Sequence, residues 1–196
     1  MPARRHARLN RLLSGSLLLL AAFCVSAVAQ AEDEAKPDAS KSGSLPSWYQ
    51  DEIDALSRGS GRWQADNAEY RSDKEQFTHY VSEWRKTPDG RGLSGRLYGL
   101  TEGKPSEDFW TFRVYWDAAA KGAVIQQFAG YGAIGIGPLV GFGNGTLSDQ
   151  TFTAPNGRQW RSLHHSWFEG DVHITHSFDW KDGGWQARRI YRWQLQ

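Results

Sequence analysis

Alternation is clearest at the C-terminal end of the chain, from Trp160 to Trp193. Trp160–Phe168, Asp171–Trp180 and Trp185–Trp193 are rich in alternating aromatic and β-branched residues, and Glu169-Gly170 and Lys181-Asp182-Gly183-Gly184 separate them. A period of two broken by glycine turns predicts three antiparallel strands. In the middle segment Val172, Ile174, His176, Phe178 and Trp180 alternate with Asp171, His173, Thr175, Ser177 and Asp179. The first set is expected to face the core, with His176 its polar member. A two-residue turn at Glu169-Gly170 sets Trp167 opposite Val172, which turns Trp167, His165, Leu163 and Arg161 inward as well. A four-residue turn at Lys181–Gly184 sets Arg189 opposite His176 and adds Ala187, Tyr191 and Trp193 to that face. A slip of one residue at the first turn presents Ser162, His164 and Ser166 instead.

Upstream, a short helix is predicted after Ser44-Leu45-Pro46. Ser47 is its expected N-cap, Asp51 and Glu52 lie near the positive end of its dipole, Trp48, Ile53 and Leu56 form its apolar side, and Gly59 and Gly61 stop it. Strands are predicted from Gly61 through Tyr70, over Phe77–Arg85 and Leu93–Leu100 around a Thr87-Pro88-Asp89-Gly90 turn, and over Phe109–Trp116 and Ala123–Tyr131. A glycine-rich stretch follows, read as sharp curvature or a mobile loop, and then a short strand over Thr146–Phe152. In the hairpin, Thr78, Tyr80, Ser82, Trp84, Leu93 and Leu97 resemble a cavity wall. Phe77, His79, Val81, Glu83, Arg96 and Tyr98 form the opposite face, with a Glu83–Arg96 contact worth little. No strand is followed by a crossover helix. The fold class is therefore all-β: an antiparallel closed or nearly closed β-barrel of about nine or ten strands with one short N-terminal helix, closure removing both liable edges.

Composition changes this picture at the N-terminus. Arg4, Arg5, Arg8 and Arg11 precede an apolar run, Leu17 to Val28, that is short for a membrane span, and small residues follow at Ala27, Ala29 and Ala31. That is the pattern of a secretory signal, so the expected organisation is a signal peptide at 1–31, a disordered leader at 32–44 and one barrel domain at 45–196. The expected location is periplasmic or secreted, with no membrane span after cleavage. Cys24, the single cysteine, lies within the signal, so the core must hold without disulfides. Removing four arginines from 23 Lys plus Arg, against 22 Asp plus Glu, leaves a net charge near −3, which argues against nucleic acid as a partner.

Gly61-Arg62-Trp63 on the first strand, preceded by a short helix, resembles the Gly-x-Trp signature of the calycin superfamily, the lipocalin-like barrels. The rhythm of Ser82-Glu83-Trp84, Leu93-Ser94-Gly95-Arg96 and Tyr115-Trp116-Asp117 is similar to small bacterial lipocalin-like domains of uncharacterised function. The resemblance spans roughly Leu45 to Trp193 and implies a barrel with an internal cavity for a small molecule. It also implies a basic residue of the final strand over the tryptophan, a place that Arg188, Arg189 or Arg192 could fill. Two features depart from true lipocalins: no helix follows the last strand, and no disulfide is possible in the barrel.

The candidate chemistry follows from the expected inward face. Arg161, His165, His176 and Arg189 among Trp167, Tyr191, Tyr80 and Trp84 are costly inside unless paired, hydrogen-bonded or wet. The function read from this is an exported small-molecule-binding barrel, its ligand amphipathic or anionic. The alternative is a barrel enzyme, an isomerase or hydrolase, using His165 or His176 as acid–base with Arg161 or Arg189 holding an anion. No cofactor is expected; haem ligation by an inward His, which occurs in a relative of this barrel type, is an option. His173 and His176 point to opposite faces and cannot share one metal ion. His165 and His176 could, but no third ligand is placed, and no metal site is expected. Gly130-Tyr131-Gly132-Ala133-Ile134-Gly135 matches a dinucleotide fingerprint by letter and lacks the helix that would give it meaning.

Overall fold

The computed structural model describes residues 44–196; the expected signal and all but the last residue of the expected leader lie outside the described residues. Helix α1 spans Ser47–Leu56. Ten antiparallel strands follow: β1 Arg62–Asp66, β2 His79–Lys86, β3 Gly92–Thr101, β4 Lys104–Asp117, β5 Gly122–Ala129, β6 Ile134–Phe142, β7 Gly145–Thr153, β8 Gln159–Glu169, β9 Val172–Lys181 and β10 Gly184–Leu195. Each strand pairs with the next, and β1 pairs with β10 through Trp63 opposite Leu195, so the sheet closes into a barrel. Among the described residues no strand edge is left to pair with another chain.

α1 plugs one end. Tyr49, Ile53 and Leu56 are buried and pack against Leu93, Val114, Ile125 and Leu139 from the strand ends. Each fully buried side chain of this kind stabilises by about 1.5–3 kcal/mol. Pro46, not Ser47, occupies the N-cap position, and its carbonyl accepts from the N–H groups of Tyr49 and Gln50, both at 3.1 Å. No side chain caps this entry. After the helix, Gly59 and Gly61 take positive φ, which turns the chain into β1.

The glycine-rich stretch is not a loop but β6. Ile134, Ile136, Val140 and Phe142 point outward and are about half exposed, while Gly135, Gly137, Leu139 and Gly141 point inward. A Cβ at Gly137 would collide with the Asp149 carbonyl of β7, and one at Gly141 would sit 2.9 Å from the Trp48 ring of α1. These glycines admit close neighbours rather than confer mobility.

The strongest correction concerns the terminal strands. The β8–β9 turn is Gly170-Asp171, so Trp167 opposes Ile174 and His165 opposes His176. That is a shift of two residues from the expected register, so the expected sets do share a face. The face, however, is the outer one. His165 stacks on Trp167 with ring centres 4.6 Å apart and meets Phe142 edge-on; Arg161 pairs with Asp149 and lies over Trp180 and Trp185. His173, Thr175 and Ser177 of β9 and Ser162, His164 and Ser166 of β8 face inward instead. The interior already holds the rings of Trp63, Tyr80, Trp84, Phe112 and Trp193, so a further rank of large aromatics fits only outside, where neighbouring rings half cover it.

β10 adds a second inversion. Trp185 and Ala187 oppose Trp180 and Phe178 on the outer face, but a bulge between Ala187 and Arg189 shifts the register. Arg189, Tyr191 and Trp193 then point inward, opposite Ser177, Thr175 and His173; Ile190, not Arg189, opposes His176. A bulge re-aims side chains in this way by adding one residue to one strand.

Candidate functional site

The barrel encloses a cavity of about 440 Å³. Its two sides differ in chemistry. On β2–β5 the lining is Tyr80, Trp84, Leu97, Phe112, Val114 and Ile125. On β7–β9 it is Thr146, Ser148, His164, Ser166, Thr175 and Ser177, with Gln127 of β5 joining them. α1 supplies the floor through Leu56 and Glu52. Lys74, Glu75 and Phe77, from the segment between β1 and β2, lie at the other end with Arg188 and Arg189.

The polar side leaves hydrogen-bonding capacity unused. His164 Nδ1, His173 Nε2 and Gln150 Nε2 are buried and have no partner among the described residues. Gln150 is fully buried behind the lining rather than part of it, and its Oε1 accepts from Gln127 Nε2 at 2.8 Å. His173 is stacked on Phe168 with ring centres 4.8 Å apart and meets Trp63 edge-on. Burial drives the His164 imidazole down to about 4; the Arg188 charge works in the same direction and Asp179 against it. Burial takes His173 to about 3, with Arg58 adding to the effect. Both imidazoles are therefore neutral at physiological pH.

Glu52 is the missed residue at the floor. Its carboxyl is buried and accepts from Thr146 Oγ1 at 3.2 Å, and Thr146 also meets Ser166 Oγ at 3.0 Å. Burial pushes its pKa up to about 7, the Thr146 bond opposing. Glu52 was legible as an inward residue, because with Tyr49, Ile53 and Leu56 it makes the spacing of one helical face.

Glu75 is the second missed residue. Arg189 Nη1 and Nη2 donate to its two oxygens, both at 2.6 Å, and the Tyr80 hydroxyl donates to Oε1 at 2.6 Å. Asn67, fully buried, donates to the same oxygen at 3.3 Å and accepts from the Tyr191 hydroxyl at 2.9 Å. The Arg189 guanidinium, with Tyr80 and Asn67, holds the Glu75 carboxyl down at about 2 against the effect of burial. This bidentate pair ties the 67–78 segment across the barrel to β10. Nothing in Arg71-Ser72-Asp73-Lys74-Glu75-Gln76 marks Glu75 from sequence, since an acid in a polar stretch reads as solvated.

Of the residues expected to line the site, Tyr80, Trp84, Arg189 and Tyr191 reach the cavity. Arg161, His165, Trp167 and His176 do not; they stand on the outer wall, for the packing reason given above. The outward assignment also separates His165 and His176 from any internal chemistry. Among the described residues no group of three or more His, Cys, Asp or Glu side chains is placed to hold a metal ion, and no helix is long and apolar enough to cross a membrane.

Trp63 of the Gly-x-Trp motif is fully buried, and its indole N–H donates to the Leu56 carbonyl at 2.8 Å. The cation over its ring is Arg58, with the guanidinium carbon 5.0 Å from the ring centre. Arg58 comes from the α1–β1 connection, not from the final strand. Arg188 contacts Asp179, Arg189 binds Glu75 and Arg192 binds Glu169, which leaves none of the three for that role. The architecture, a closed ten-stranded antiparallel barrel with one short helix, is consistent with a calycin-like fold. No family model matches the chain, and no curated protein matches it at a significant level.

Proposed function

We propose that this protein is a lipocalin-like carrier that holds one small amphipathic molecule in its barrel, and that it does so after export to the periplasm or beyond. The observation that carries the reading is the two-sided cavity: about 440 Å³ with rings on one side and unpartnered polar atoms on the other. A lining of that kind matches a ligand with an apolar body and a few hydrogen-bonding groups. Export rests on the basic and apolar pattern of Arg4 to Val28. Haem is not part of the reading. His173 is packed between Phe168 and Trp63, and Arg189, which a propionate would use, is already bound by Glu75.

The test is titration with Nile red, an uncharged solvatochromic dye. One dye per chain should bind with a blue-shifted emission, and Ser148→Phe with Ser177→Phe, which fills the cavity, should remove binding while the chain still unfolds in one cooperative transition. Absence of binding, or binding that survives the filled variant, overturns the proposal.

Glu52 favours a second reading. A buried carboxylic acid held near neutrality at the floor of a cavity has the protonation balance that general acid–base catalysis needs, and it replaces His165 and His176 in the isomerase or hydrolase alternative. Turnover of an enolisable ketone or a small ester that disappears in Glu52→Gln, with Nile red binding intact, would establish it. Equal rates with and without the protein dismiss it.

A further inference from the structure

The geometry points to an uncharged ligand head group, a hydroxyl or a carboxamide on a ring-bearing body, as the chemical class this cavity takes. The inference rests on the carrier reading and narrows it away from anions.

The first ground is the set of unused atoms. His164 and His173 line the cavity, and each neutral imidazole nitrogen donates or accepts according to its tautomer. A head group that both donates and accepts fits a lining made of these two residues and the hydroxyls of Ser148, Ser166, Thr175 and Ser177. Register places His164 between Ser148 on β7 and Ser177 on β9, so hydroxyls flank it on both sides. These neighbours also donate or accept without carrying charge.

The second ground is the state of every cation and anion near the lining. Arg189 is held by both Glu75 oxygens, and Arg188 faces Asp179 at 3.8 Å with more than half its side chain in solvent. Lys74 is exposed at the rim, where its charge is already hydrated. Glu52 at the floor offers a carboxyl group, which gives an entering anion no positive partner. Burial keeps His164 and His173 uncharged, so neither offers a counter-ion at neutral pH. A carboxylate entering this cavity therefore loses its water without gaining an ion pair.

The third ground is the opposite wall. Trp84 and Phe112 lie stacked with ring centres 5.0 Å apart and a 26° interplanar angle. Both line the cavity, and they present a broad aromatic surface across from His164. A planar or alicyclic body fits that surface while its polar end reaches the other side.

Three probes with one ring system separate the possibilities: naphthalene, naphthol and naphthoate, each titrated against tryptophan fluorescence of the full chain at neutral pH. Naphthol should bind about tenfold tighter than naphthalene, the value of one net hydrogen bond, and at least about a hundredfold tighter than naphthoate. His164→Phe, or His173→Phe if the first variant does not fold, should bring naphthol down to the affinity of naphthalene. Naphthoate binding as tightly as naphthol overturns the inference and leaves the carrier reading standing. Naphthol and naphthalene binding equally also overturns it, because water then satisfies the polar side. Failure of all three probes on folded protein overturns the inference and the carrier reading together.

Discussion

The two halves of this barrel are built to opposite rules. Across β1–β5 most large rings point in and the charges point out: Trp63, Tyr80 and Trp84 are inside, while Glu83 binds Arg96 and the covered Tyr98 on the outer face. Across β7–β9 hydroxyls and the imidazoles of His164 and His173 point in, while Trp167, Phe178 and Trp180 point out with His165 and His176. Both halves face the cavity. The first lines it with rings and aliphatic groups, the second with hydroxyls and two imidazoles. An apolar-in rule holds on the first wall and reverses on the second.

That contrast yields a graded set of expectations. Trp63→Ala should cost about 3–5 kcal/mol in urea unfolding, because it removes a fully buried ring and its bond to Leu56. Ser148→Ala on the other half should cost less than about 1 kcal/mol and act on ligand affinity instead. Equal losses would erase the distinction.

Acid should expose the polar half. His164 and His173 have folded pKa values below the ordinary histidine value, at about 4 and about 3. Their neutral burial stabilises fully above about pH 6.5 and is lost as pH falls through those values. His173→Phe should make the acid side of the stability curve shallower by about 3 kcal/mol, read from urea midpoints between pH 7 and 3. Glu52 has the opposite sign. Its folded pKa is raised to about 7, so its contribution is intact below about pH 4.5 and declines as pH rises through 7. Glu52→Gln should match wild type at pH 4.5 and exceed it by up to about 3 kcal/mol at pH 8.5.

Smaller effects are expected at the rim and on the outer wall. Glu75 is depressed to about 2 by Arg189, so its contribution is present above about pH 4.5 and fades toward pH 2. Allowing for solvent near the rim, Glu75→Gln should cost about 1–2 kcal/mol at pH 7 and speed ligand exchange, measured by stopped-flow fluorescence. Arg161→Ala and His165→Ala should change stability by less than about 1 kcal/mol and ligand affinity by less than about twofold. A large loss of binding in either would return these residues to the site.

Much of the fold was legible. The strand periods, the hairpin turn at Pro88-Asp89 and the short helix all follow from local patterning, and closure follows from the need to hide two edges. β6 was not legible, because glycines chosen for close approach to Asp149 and Trp48 carry the same letters as glycines chosen for freedom. Within the site, Tyr80 and Trp84 follow from alternation, whereas Arg189 and Tyr191 point inward because of a bulge that no residue type announces. The inward histidines were misassigned because alternation says which residues share a face but not which face surrounds a void. Glu75 escaped notice because its partner, Arg189, lies 114 positions away.

The ligand is expected to meet His164 and His173 rather than His165 and His176. Histidine-selective NMR of imidazole resonances during a naphthol titration reads this directly. His164 and His173 should shift with the occupancy of the cavity, while His165 and His176 stay fixed. Shifts at His165 and His176, with His164 and His173 unmoved, would place the ligand on the outer wall and contradict the account.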